Sequence, residues 1–178
     1  MNKKNLIFSL ILFFLMGAGF LWAFTISPFK EEEKREGIND GAPSPPELFD
    51  SDGDEVNFED FLGKVVFINN WASWCPPCIA EMPTIEKLKK AMPTEEVAFV
   101  MVSFDRNPKK SINWMDNKNI DLPVYFPAEN FPPEFITDAI PSTFIMDREG
   151  NLLYSQVGMA DYSSDAFIAK MEDWVKNR

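Results

Sequence analysis

The chain has 178 residues, 46% of them hydrophobic and 25% charged, which are proportions of a globular domain with an appendage and not of a disordered or fibrous chain. Its formal net charge of −11 leaves no basic stripe, which excludes nucleic acid as a partner. With no histidine and only two cysteines, it offers no His-ligated metal site, no Cys–His pair, no Ser–His–Asp triad, no four-ligand zinc and no disulfide framework.

Residues 6–24 (LIFSLILFFLMGAGFLWAF) form an almost unbroken apolar run behind Lys3 and Lys4. That length is close to the ~20 residues that cross a bilayer as a helix. A cleaved signal has a shorter apolar stretch and a small-x-small site. Here bulky Phe20, Leu21, Trp22 and Phe24 follow the small cluster Gly17-Ala18-Gly19, which favours an uncleaved anchor. The expected organisation is an N-terminal transmembrane anchor or signal segment over 1–26 and a linker over 27–46, with KEEEKRE followed by GAPSPP. A folded domain then occupies 47–178.

In that domain, PELFDSDGDEVNFEDF reads as a hairpin turning at Asp52-Gly53. Lys64 to Trp71 (KVVFINNW) is an apolar run of strand length, the kind buried on both faces of a sheet. A helix is expected from the cysteines to about Met92, with Ile79, Met82, Ile85, Leu88 and Met92 on one face. Val97 to Phe104 reads as a second buried strand, and Asn107 to Asn119 as a helix with Ser111 on its polar side. A short strand at Pro123 to Phe126 and a short helix at Phe131 to Asp138 follow. Ile140 to Met146 and Leu152 to Val157 flank a turn at Asp147 to Gly150, and a last helix runs from Ser163 to Lys176. Strands alternating with helices imply an α/β sandwich around a central mixed sheet.

The chemistry gathers at Cys75-Pro76-Pro77-Cys78. Random placement of two cysteines gives this spacing roughly once in a hundred. Cys75 follows a buried strand and opens a helix, where free N–H groups and the helix dipole favour a thiolate, the form that attacks a disulfide. Cys78, one turn on, then attacks the mixed disulfide and releases the reduced substrate. A structural staple is the alternative, but so small a ring constrains little chain entropy. Pro76 and Pro77 each remove an N–H donor from the first turn, which predicts a modest pKa depression at Cys75 and a reducing couple.

FINNWASWCPPCIAEMP, the preceding hairpin, Gly63-Lys64-Val65-Val66 and Ala139-Ile140-Pro141-Ser142-Thr143-Phe144 together resemble the TlpA/ResA-like branch of membrane-anchored bacterial thioredoxins, from about Ala42 to the C-terminus. The resemblance implies a thioredoxin-like three-layer sandwich with an N-terminal β-hairpin and a central strand–helix insertion near Asp105 to Asp138. It implies that Cys75 attacks, Cys78 resolves, and Pro141 is a cis-proline facing them. Trp71, Trp74 and Ile140 would contribute to substrate binding, and Pro83 would kink the active-site helix. Thioredoxins proper carry a buried aspartate where this chain has Asn69, which does not titrate. The branch instead places a glutamate three residues after the second cysteine, here Glu81. Spacing of i, i+3 puts it on the Cys78 face of the helix, where a desolvated carboxylate can take the thiol proton.

The expected activity is reduction of disulfides in exported proteins, apocytochrome c for example, by dithiol exchange on the periplasmic side of a bacterial cell membrane. The alternatives are a disulfide oxidase or isomerase using the same residues, or a metal-delivery module, which the lack of histidine disfavours. No Gly-rich dinucleotide turn is present, so no cofactor is expected and the electrons are assigned to a membrane donor.

Overall fold

Seven short strands and three helices account for most of residues 47–177, which the computed structural model describes. The expected anchor and linker, residues 1–46, lie outside the described residues. Among those described, no helix is long and apolar enough to cross a membrane.

Strands β1 (Leu48–Phe49) and β2 (Glu55–Val56) pair antiparallel. Asp50 Oδ1 accepts the backbone N–H groups of Asp52 and Asp54 at 2.9 and 3.0 Å, and Gly53 takes φ 90°, which a side chain would resist. The hairpin is shorter than its sequence suggests, because NFEDF leaves it as a 3₁₀ turn, Phe58–Phe61. The Asp60 carboxylate accepts the Asn57 N–H at 2.8 Å, so local capping outcompetes extension of the strand.

All seven residues of β3 (Val65–Trp71) are buried. It runs parallel to β4 (Val97–Ser103) and antiparallel to β6 (Ser142–Met146), which is paired in turn with β7 (Leu152–Val157). Helix α1 (Pro76–Ala91) follows β3, α2 (Pro108–Lys118) follows β4, and α3 (Asp165–Asn177) follows β7. The insertion contributes α2 and β5 (Val124–Pro127). That strand lies parallel to β4 and antiparallel to β1, giving the order β2-β1-β5-β4-β3-β6-β7.

Alternation along β3 divides the core. Val65, Phe67 and Trp71 join Met82, Ile85, Leu88, Met115, Met171 and Trp174 from the three helices. Val66 and Ile68 face the other way, against Phe131, Phe135 and Phe144. Each fully buried side chain of this size contributes roughly 1.5–3 kcal/mol. On the far face the covering layer is aromatic and not a long helix. The helix expected at Phe131 to Asp138 contracts to the 3₁₀ turn Pro133–Phe135, since Pro132 and Pro133 supply no N–H.

Candidate active site

β3 delivers the chain to the site through a turn that closes with the Cys75 N–H on the Ala72 carbonyl at 3.1 Å. Cys75 is then the N-cap of α1. It is joined to Cys78 by a disulfide with an S–S distance of 2.03 Å. Cys75 is 4% exposed and Cys78 fully buried, so an incoming sulfur meets Cys75 first. The donors around Cys75 are few. Pro76 and Pro77 have no N–H, and the Ile79 N–H is spent on the Cys75 carbonyl at 3.0 Å. The Cys78 N–H reaches Cys75 Sγ at 3.3 Å, the single helix-terminal donor that does so.

Across from the cysteines the Ile140–Pro141 bond is cis. The Ile140 carbonyl oxygen lies 3.8 Å from Cys75 Sγ, and the Pro141 carbonyl is held by the Gly158 N–H at 2.8 Å. Pro141 is buried and Ile140 half-buried. Trp74, one residue before Cys75, is 64% exposed.

Trp71 is placed differently from the substrate-binding role expected of it. It is fully buried and its ring packs on Trp114 with centroids 5.6 Å apart. The side chain of the last β3 residue points into the core under the helices, so it supports the site from beneath and does not meet a substrate.

Glu81 shares the buried face of α1 with Cys78. Its Oε1 accepts from Asn69 Nδ2 at 2.8 Å and its Oε2 from the Ala160 N–H at 3.2 Å. Burial pushes its pKa up to about 7, against the lowering effect of those two donors. Asn69 Nδ2 also donates to Thr143 Oγ1 at 2.9 Å, and the Tyr162 hydroxyl donates to the same oxygen at 2.6 Å. Burial pushes the Tyr162 phenol above its usual range. Thr143 and Tyr162 carry no local signal in the sequence. The Asn-Asn pair inside the apolar run FINNW does, since a polar side chain in a fully buried strand must find a partner.

A buried cysteine pair at a helix N-terminus, an attackable outer sulfur, a facing cis-proline and a desolvated carboxylate on a thioredoxin-like sheet define a thiol–disulfide oxidoreductase. Residues 38–167 match the Redoxin family. The chain belongs to that family, in its TlpA/ResA-like thioredoxin branch. It is 30% identical over 130 residues to the thioredoxin-like protein YneN of Bacillus subtilis, covering 71% of this chain and 76% of that one. It is 27% identical over 157 residues to the thiol-disulfide oxidoreductase ResA of Bacillus cereus, covering 86% and 88%. A crystal structure of a thiol:disulfide interchange protein from Chlorobium tepidum superposes with a TM-score of 0.59 at 27% identity, covering 73% of this chain and 96% of that one.

Proposed function

We infer that the chain works as a reductase of disulfides in exported proteins, held at the extracytoplasmic face of a bacterial membrane by residues 6–24. The observation that carries the direction is the lone Cys78 N–H on Cys75 Sγ. Potential rises as the attacking thiolate gains donors, because that stabilises the reduced form. A helix terminus stripped of two donors by Pro76 and Pro77 stabilises the thiolate less and leaves a strong reductant.

In the forward reaction the Cys75 thiolate attacks one sulfur of the substrate disulfide. The second substrate sulfur leaves as thiolate and takes a proton from water. The Cys78 thiol then gives its proton to the Glu81 carboxylate and attacks Cys75 Sγ. The first substrate sulfur departs reduced, and the Cys75–Cys78 disulfide remains. Two electrons have passed to the substrate, and a membrane dithiol returns them by the reverse exchange.

The test uses the full chain in membranes washed with alkaline carbonate. Retention after the wash with a couple at about −270 mV or lower supports the reading; loss to the wash overturns the anchor. A couple near about −120 mV marks a disulfide donor and overturns the direction.

A further inference from the structure

The turn that presents Trp74 and Cys75 is held from outside the helix. β4 runs beside β3 and ends level with it, Ser103 opposite Trp71. Two residues later the Asp105 side chain reaches back to that turn. Its Oδ2 accepts the Ser73 backbone N–H at 2.7 Å and its Oδ1 accepts the Ser73 hydroxyl at 2.8 Å. The Ser103 hydroxyl adds a third bond to Oδ2 at 3.3 Å. Asp105 is 7% exposed.

Ser73 is the residue immediately before the exposed Trp74 ring. Hydrogen bonds to an ionised acceptor are roughly twice as strong as neutral ones, and a two-pronged grip fixes direction as well as distance. A buried carboxylate is a costly way to hold a loop that apolar packing would hold as well. Its specific effect is to immobilise Ser73, so that the ring beside it has less freedom to lose when a partner docks. The disulfide does not supply this restraint, since it closes on Cys75 and Cys78 and leaves Ser73 outside its ring.

We propose that Asp105 and Ser73 form a latch that presets Trp74 for docking of a protein disulfide. Asp105 is a positioning residue acting through Trp74 and not on the cysteines. The latch rests on the reading above that Trp74 meets protein substrates.

The test uses the pre-reduced full chain in detergent, in single turnover against insulin and against hydroxyethyl disulfide, which is too small to need the ring. Asp105→Ala slows the reaction with insulin about fivefold and leaves that with hydroxyethyl disulfide unchanged. Trp74→Ala slows the reaction with insulin at least as much, and the double variant is no slower with insulin than Trp74→Ala. Equal loss with both disulfides, or losses that multiply in the double variant, overturn the latch. Ser73→Ala removes one prong alone and serves if Asp105→Ala does not fold; an unchanged insulin rate there overturns the proposal. A wild-type chain that reduces hydroxyethyl disulfide but not insulin sinks the protein-reductase reading. One that reduces insulin as fast without Asp105 as with it sinks only the latch.

Discussion

At the scale of single residues, Glu81 is the group whose environment departs furthest from water among the carboxylates near the cysteines. A folded pKa of about 7 against an ordinary 4.5 means the native state holds a proton that the unfolded chain has released. Stability therefore falls as pH rises between those two values, and the full cost is present above about 7. Glu81→Gln removes that dependence. Relative to wild type, the variant gains about 3 kcal/mol between about pH 4 and about pH 8, read from urea unfolding at each pH. Its reductase rate also loses the rise through neutral pH that ionisation of Glu81 gives the wild type. Glu81 was legible through the family resemblance, and its three-residue offset from Cys78 puts it on the same face of α1. Its surroundings were readable only in part. Asn69 stood out as a polar residue in a buried strand, but the Ala160 N–H that also binds Glu81, and the Thr143 and Tyr162 hydroxyls chained to Asn69, come from distant segments that only the fold brings together.

At the scale of elements, the first turn of α1 governs the chemistry of its N-cap. Pro77→Ala returns one N–H to the turn beside Cys75. The expected result is a Cys75 pKa lower by about one unit and a potential higher by about 30 mV, measured by thiol alkylation against pH and by glutathione equilibration. The prolines that shape this turn were readable in the sequence, as were the hairpin turn at Gly53 and the inward faces of α1 and α3. Ser111 was placed on the polar side of α2 but is fully buried, its hydroxyl donating to the Pro108 carbonyl at 3.0 Å. A serine that satisfies itself locally can sit on either face, and periodicity does not register this. The two 3₁₀ turns were misread for a related reason. In NFEDF and FPPEF, capping and missing donors decide the backbone, while hydrophobic spacing suggests a longer element.

On the scale of the whole molecule, the two faces of the sheet are covered by different means. Three helices pack on one, whereas the other relies on rings from separate loops. Phe135 stands with centroids 5.2 Å from Phe58 and 5.3 Å from Phe144, and its carbonyl accepts from Asn70 Nδ2 in β3. Phe135→Ala is expected to cost about 3 kcal/mol in urea unfolding, because loops anchored elsewhere cannot collapse into the space it leaves. The strand order also sets where the folded unit begins and ends. Leu48 pairs with Pro127 at the carboxyl end of β5, the end of the parallel strands that also carries Cys75. At the other end, Arg148 donates to the carbonyls of Val175 near the close of α3 and of Gly63 just before β3. Fixed to a biosensor surface through its carboxyl terminus, the domain turns its cysteines toward the flowing analyte. Coupled instead through a residue of β1, it presents them to the support.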